Sequence, residues 1–578
     1  MNRHIIPITM AIFILFGVVG VGVLVRFTLV KPPNYRPPKG EVIQKGIRGN
    51  IDRNGTLVAY TQLIYDVYIN PAYINPDRKG QFIRMFSAYT GVDPTILRDK
   101  LKERGWVKIA EVDEQGRLEL IRLKRSMALK GVFLRNPRTG YIIGYSIENP
   151  REVRVYPFDD LLEPVLGYYS RYKKAGIEGV EGFYDRLLRP KKDGIIKGYR
   201  DVAGNIIYDG TSLIEMPING TPIHLNVNLV VQRRLEQILD RAKRDFNVSE
   251  VVAGIMDSKT GRLIALASSN RYNPNRIRKR DIPYLAPSVV RRLYEPGSVM
   301  KPITYAILWE NGLIKPGELI YVNRGRWKPK WRKKPIVDDV PFKYLTPRQI
   351  IVHSSNIGIS KLVLRIEGTR YYQWLERFGL DSPTGVDIAN ELAGRLQPEA
   401  AYNSPNYRSV TAFGYSLMVS FMELLRAYNV FNNGGYLVTP RLADTPTPKP
   451  VQIISPSTAN EVLNVLRMVV LQGTGKRGLV PGIFTAGKTG TAHISRGKRG
   501  YSYTSYNSSF YGFANDNHGH RYTIGVVFFK LTDPRYFASQ TAVPVYRQIV
   551  KMMVEERLLI PDFNGTIPDM EIDSNFTW

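Results

Sequence analysis

Ser298-Val299-Met300-Lys301, Ser354-Ser355-Asn356 and Lys488-Thr489-Gly490-Thr491 are the residues of this chain best suited to chemistry. Together they could supply a nucleophile, a base, a proton relay and a carboxylate clamp. A serine hydroxyl attacks a carbonyl poorly until a base takes its proton. Three-residue spacing puts Lys301 on the same helical face as Ser298, and Pro296-Gly297 just before them reads as a helix start. The positive end of that helix favours the anionic oxygen that develops on attack. The same field, with partial burial, opposes a protonated Lys301 and lowers its pKa toward a value useful for a base.

Each motif alone says little. Ser170-Arg171-Tyr172-Lys173 and Ser495-Arg496-Gly497-Lys498 repeat the first. Ser268-Ser269-Asn270, Ser404-Pro405-Asn406 and Ser505-Tyr506-Asn507 repeat the second, and Lys259-Thr260-Gly261 repeats the third. Order and context separate the chosen set. Ser298 follows Tyr294-Glu295-Pro296-Gly297 and leads into an apolar helix. Ser354-Ser355-Asn356 falls between two helical patterns, where a turn can aim side chains into a cleft. Lys488 to Thr491 lies in a strand-like stretch, with Gly487 and Gly490 permitting close approach of a ligand backbone. After Lys259-Thr260-Gly261 comes Arg262, so the fourth hydroxyl is missing there.

The elements that must position these residues read as an α+β body. Residues 232–246 have helical apolar spacing, and residues 251–256 and 263–267 read as an antiparallel hairpin. Helical stretches follow between about 298 and 430, and strands return at 508–515 and 522–530. Strands, then mostly helices, then strands predict a sheet closed from both ends. Upstream, residues 40–225 are mixed. Asn54-Gly55 signals a hairpin turn, residues 64–74 alternate as a strand, and residues 91–104 read as a helix with Asp93 before Pro94 at its first turn. The tail of residues 557–578 is acidic and reads as loosely held.

Composition narrows the rest. With 578 residues and 43% hydrophobic content the chain can bury a large core. It has no cysteine, which excludes disulfides, thiolate metal sites and cysteine nucleophiles. Six histidines without a His-x-x-x-His pair point away from a metal site. The net charge of +30 attracts polyanions in general. Residues 5–25 carry no charge and are long enough to span a bilayer as an uncleaved anchor. Residues 31–40 are proline-rich and basic, a stiff spacer. Arg3 precedes the span while Arg26, Lys31, Arg36 and Lys39 follow it, so the positive-inside rule does not favour an exported body.

The three motifs in this order resemble those of class B penicillin-binding proteins, the membrane-anchored D,D-transpeptidases of bacterial cell walls. Asp257-x-x-Thr260-Gly261 with Ala265, Ala267 and Tyr272-Asn273-Pro274-Asn275 resembles the start of their catalytic domain. Ala412-Phe413-Gly414-Tyr415 and Gly473-Thr474-Gly475 match further landmarks. Residues 48–55, and residues 176–181 with Tyr184-Asp185, resemble the start and end of the family's pedestal. The resemblance implies a cytoplasmic N-terminus (1–4), a single N-terminal transmembrane helix (5–25) and a mixed pedestal of the dimerisation type (26–225). It implies next a transpeptidase domain with a central antiparallel sheet flanked by helices (226–556), and then the tail (557–578). It also implies a body on the periplasmic or extracytoplasmic side of the cytoplasmic membrane, against the charge rule.

Residue roles follow from the same resemblance. Ser298 would attack the penultimate D-alanine carbonyl of a peptidoglycan stem peptide, and Lys301 would take its proton. Ser354 would relay a proton to the leaving amine, and Asn356 would hold the substrate amide and the lysine. Lys488, Thr489, Gly490 and Thr491 would bind the substrate carboxylate, with the backbone N–H groups of Ser298 and Thr491 as the oxyanion hole. β-Lactams would acylate Ser298. No cofactor and no metal are implied. Asn356 in the third position of the second motif resembles the division-type (FtsI-like) branch, since elongation-type penicillin-binding protein 2 commonly carries Asp there. No glycosyltransferase domain precedes the pedestal, so a SEDS-family glycosyltransferase and other divisome membrane proteins are the implied partners. The rivals are an elongation-type enzyme, a β-lactamase, and a non-catalytic wall-assembly scaffold. Residues 324–334, basic with Trp327 and Trp331, could bind nucleic acid; a solvated loop near the wall explains them more simply, and no nucleic-acid partner is expected.

Overall fold

The computed structural model describes residues 17–18, 39–135, 137, 142, 144–148, 150–199, 206–495 and 500–563. The span expected at residues 5–25 falls outside these except for residues 17–18. Among the described residues no helix is long and apolar enough to cross a membrane.

The chain forms two compact units. The first contains residues up to 47 together with Pro190–Asn219. It is a three-stranded antiparallel sheet in the order Lys39–Gln44, Gly194–Tyr199, Leu213–Glu215. Surface ion pairs join its pieces, Lys45 to Asp193 at 2.6 Å and Lys192 to Glu215 at 2.6 Å.

The second unit holds everything else. Its N-terminal part is a sheet built on the long strand Thr56–Ile69. Asn54 and Gly55 both take positive φ, as a two-residue hairpin turn requires, and join that strand to Ile51–Arg53. The strand stops at Asn70 rather than reaching residue 74, because Pro71 starts a short 3-10 turn that the Asn70 side chain caps. The helix expected over 91–104 is shorter, Pro94–Lys100. Asp93 caps it as expected, but Gly91 already ends the preceding helix in a left-handed conformation. Phe82, Phe86, Phe133 and Tyr145 form the aromatic centre of this part's core.

The sequence motifs near residues 48 and 181 meet here. Arg48 bonds Glu181 and Asp185, and Tyr184 donates to Asp387 Oδ2 at 2.9 Å. The Tyr184–Asp387 bond reaches from the N-terminal part into the catalytic part of the same unit.

The catalytic part is organised by five antiparallel strands: β1 (Glu250–Asp257), β2 (Leu263–Ser268), β3 (Phe484–Ser495), β4 (Tyr501–Asn515) and β5 (Arg521–Leu531), in the order β2-β1-β5-β4-β3. An N-terminal hairpin therefore pairs with C-terminal strands, as the pattern predicted. Helices α1 (Leu229–Asp245) and α7 (Ala542–Glu555) cover the face presented by Val251, Ala253, Ile255 and Phe510. The other face, with Val252, Met256, Tyr511 and Phe513, is covered by α5 (Phe421–Asn432) and α6 (Pro456–Leu471). Burial on both faces explains why β1 reads as a continuous apolar run rather than an alternation. Strand β3 is an edge strand, so one row of its backbone polar groups is not claimed by the sheet. The tail is better held than expected as far as residue 563. Leu559 is buried, Ile560 N donates to Asp516, and Asp562 N donates to the Gly482 carbonyl.

Candidate active site

Ser298 sits on a 3-10 turn, Gly297–Met300, that runs straight into α2 (Lys301–Glu310). The first turn is 3-10 rather than α-helical, and residues three apart eclipse in a 3-10 turn, which sets Lys301 on the side of Ser298. Two close approaches fix the turn. Gly297 N donates to the Gly414 carbonyl at 3.0 Å, and a side chain on Gly414, which has φ +87, would lie 2.0 Å from the Gly297 oxygen. A side chain on Gly490 would lie 2.9 Å from Val299 Cγ1 and 3.2 Å from the Pro296 oxygen. Gly414 lets the serine turn press against the chain that follows the helix Pro405–Ala412, and Gly490 lets it press against β3. Tyr428 fixes the other side by donating to the Val299 carbonyl at 2.6 Å. The Ser298 side chain is half-buried, and its hydroxyl makes no hydrogen bond among the described residues.

Ser354 is the hub. It lies between α3 (Pro347–Val352) and α4 (Asn356–Val363) and has φ +59, which costs a non-glycine residue about 1 kcal/mol or more. Strain of this kind persists where surrounding bonds over-determine it. Lys301 Nζ donates to the Ser354 carbonyl at 2.5 Å and to Ser354 Oγ at 3.0 Å. Lys488 Nζ donates to the same Oγ at 3.0 Å, and to Thr489 O at 2.9 Å. One hydroxyl thus joins residues from all three motifs.

Both amines are buried. Burial is the main reason the Lys301 amine falls to about 8, with Asp338 and Asp339 pulling the other way. Lys488 is pushed well down by burial and by the charge of Lys301. If neutral Lys301 is the base, acylation of Ser298 should rise about tenfold per pH unit below about 8 and level off above it. Rates of labelling by a fluorescent penicillin between pH 5.5 and 9.5 check this; a flat profile would exclude it.

The start of α4 is held by a residue the sequence did not single out. Asp338 accepts from Ser355 Oγ at 2.5 Å and from the backbone N–H groups of Asn356 and Ile357 at 2.6 and 3.0 Å. A carboxylate at a helix N-terminus is stabilising, and here it fixes the second motif in place. Asn356 Nδ2 donates to the Val337 carbonyl at 2.9 Å. No hydrogen bond between Asn356 and Lys301 is formed among the described residues; the Lys301 amine donates to Ser354 instead. On β3, Thr489 Oγ1 bonds Thr474 Oγ1 at 2.7 Å, and Thr491 Oγ1 accepts from Ala538 N at 3.2 Å, leaving its own proton free to donate.

The penicillin binding protein transpeptidase domain family matches residues 251–551, just over half of the chain, and the penicillin-binding protein dimerisation domain family matches residues 43–225. The chain belongs to the class B penicillin-binding proteins. Stage V sporulation protein D of Bacillus subtilis is 25% identical over 568 residues, covering 94% of this chain and 81% of the relative. The probable peptidoglycan D,D-transpeptidase PenA of Neisseria meningitidis is 26% identical over 565 residues, covering 95% and 92%. Penicillin binding protein 3 of Mycobacterium tuberculosis shares the fold with a TM-score of 0.65 at 23% identity, over 90% of this chain and 98% of that one.

Within this penicillin-binding protein the motif repeats do other work. Ser170 and Lys173 share an exposed turn. Ser268 is buried and donates to Glu250. Lys259-Thr260-Gly261 is the β1–β2 turn, with Thr260 bonded to Asp257. Ser404 precedes a short helix at Pro405, and Asn507 accepts from Lys530 N beside a register shift in β4. Residues 496–498 of the remaining repeat lie outside the described residues. The sequence did carry one signal for Asp338. Asp338-Asp339 are the only acidic residues among 321–345, just after the basic run.

Proposed function

We propose that this class B penicillin-binding protein is a peptidoglycan D,D-transpeptidase. The observation that carries the reading is Ser354 Oγ, 3.0 Å from both Lys301 Nζ and Lys488 Nζ. Ser298 Oγ attacks the carbonyl of the penultimate D-alanine, and neutral Lys301 takes its proton. Backbone N–H groups of Ser298 and Thr491 face the developing oxyanion, each worth about 3 kcal/mol of transition-state stabilisation. The proton travels through Ser354 to the leaving nitrogen, the C–N bond breaks, and D-alanine departs. Lys488 pairs with the terminal carboxylate. That anion favours a charged Lys488, and repulsion from the charged Lys488 keeps Lys301 neutral. An amine of a second stem peptide then attacks the acyl-enzyme and regenerates Ser298. PenA, named a probable peptidoglycan D,D-transpeptidase, supports the reading.

Intact-mass measurement after penicillin treatment should show one adduct, mapped to the peptide containing Ser298. Ser298→Ala should abolish it, and an adduct elsewhere would overturn the assignment.

Asn356 in the second motif supports a septal, division-type role with a SEDS-family glycosyltransferase and divisome proteins as partners. We place the anchor at residues 5–25 and the body outside the cytoplasmic membrane, supported by the uncharged run and by the substrate's location. Protease added to intact spheroplasts should digest the body; complete protection would reverse the orientation.

A further inference from the structure

We propose that the hairpin of residues 324–337 is a docking strip for the free carboxylates of an unamidated stem peptide; the proposal rests on the transpeptidase reading and names its substrate class. The hairpin is a built element. Arg326–Trp327 pairs antiparallel with Ile336–Val337. Trp327 and Trp331 meet edge to face at 5.7 Å, and Lys361 Nζ lies 5.0 Å from the Trp327 ring centre.

On this scaffold Arg324, Arg326, Lys328, Lys330, Lys333 and Lys334 are all exposed, and none has an ion-pair partner among the described residues. Nearby cations are different: Arg348 pairs with Glu461 and Arg365 with Glu318. With Arg332 they make seven like charges within eleven residues, which repel one another, and a docked polyanion relieves that repulsion. Residues 324–337 contain no acid of their own, and Asp338, next along the chain, is engaged by the start of α4.

Position selects the anion. The root of the hairpin is bonded to Asn356 through Val337 and Asp338. Farther along, Arg332 donates to Asn406 at 2.6 Å and lies within electrostatic reach of Tyr501. Tyr501 in turn donates to Glu295, three residues before Ser298. The cationic strip therefore runs beside the cleft, from the second motif to the approach of the nucleophile. What it meets is the peptide entering that cleft. Stem peptides carry free carboxylates wherever their acidic residues are unamidated. Nucleic acid is a poorer fit, because Trp327 and Trp331 are half-buried against each other and under Lys361, not open for base stacking.

The test uses the full chain in detergent and two synthetic stem pentapeptides ending in D-Ala-D-Ala. They differ only in a carboxylate or a carboxamide at the second residue. D-alanine release should favour the carboxylate by about tenfold in kcat/KM at low salt, with the preference shrinking as salt screens it. The variant Lys328→Gln/Lys330→Gln/Lys333→Gln/Lys334→Gln should lose that preference through KM while its rate of penicillin acylation is unchanged. The corresponding four Lys→Arg changes should retain it. Equal rates on both peptides, or an equal loss on both in the Gln variant, would overturn the proposal. So would a Gln variant that keeps the preference and loses only binding to vesicles of anionic phosphatidylglycerol. If penicillin fails to acylate the parent chain, the transpeptidase reading falls and this proposal with it; acylation without peptide discrimination sinks this proposal alone.

Discussion

Lys301→Met should slow acylation by penicillin about a thousandfold, the scale of a lost general base, while leaving the chain folded. Methionine fills nearly the same volume without an amine, and the site is fully buried. Two opposing effects act on stability. The Ser354 carbonyl and hydroxyl lose a donor, which costs about 1–3 kcal/mol. Against this, a buried amine held at about 8 instead of 10.5 makes the native state bear about 3 kcal/mol for its charged form. The sign follows from proton counting. Between about 8 and 10.5 the unfolded chain binds more protons at Lys301 than the folded chain, so stability rises with pH in that window. The penalty is complete below about 8, which includes neutral pH, and it disappears in the variant. Melting temperature should therefore shift by only a few degrees. The surviving slow acylation should also lose its dependence on pH near 8. A variant that labels as fast as the parent would remove Lys301 from the mechanism.

The catalytic stretches were legible because each carries its chemistry in a short span. Ser298 and Lys301 need only a helical turn, and Lys488 to Thr491 need only a strand. The decoys could be set aside for the same reason, since their flanking residues build other elements. What the sequence could not display was long-range bonding. Asp338 acts on residues 355–357 across a loop of no regular pattern. Thr474 reaches Thr489 from the far end of a helix. The left-handed backbone of Ser354 has no local signature, because serine is not a residue that favours it. The strand pairing inside the first unit was hidden for a related reason. Residues 39–44 and 194–215 pair over a gap in sequence that composition does not mark. Arg48 and Glu181 stand far apart in sequence, near the two ends of the pedestal, yet they are two halves of one buried ion cluster.

Glu181→Ala should destabilise the folded chain by about 3–5 kcal/mol, the cost of stranding buried charge. Glu181 is fully buried, and its two oxygens serve two arginines. Oε2 accepts from Arg48 at 2.8 and 3.0 Å, and Oε1 accepts from Arg154 at 2.6 Å. Arg48 would keep Asp185 at 2.7 Å. Arg154 would keep only the Gly49 carbonyl and Thr61 Oγ1, and its NH2 already lacks a partner. The loss should therefore fall mainly on Arg154, whose side chain is 3% exposed and cannot turn to water. Thermal unfolding followed by fluorescence should report a drop of several degrees. Glu181→Leu/Arg154→Met, which removes the stranded charge with its partner, should recover most of it. If the single variant melts with the parent, the buried cluster does not carry the stability assigned to it. If the double variant melts as low as the single one, lost packing rather than unpaired charge is the cause.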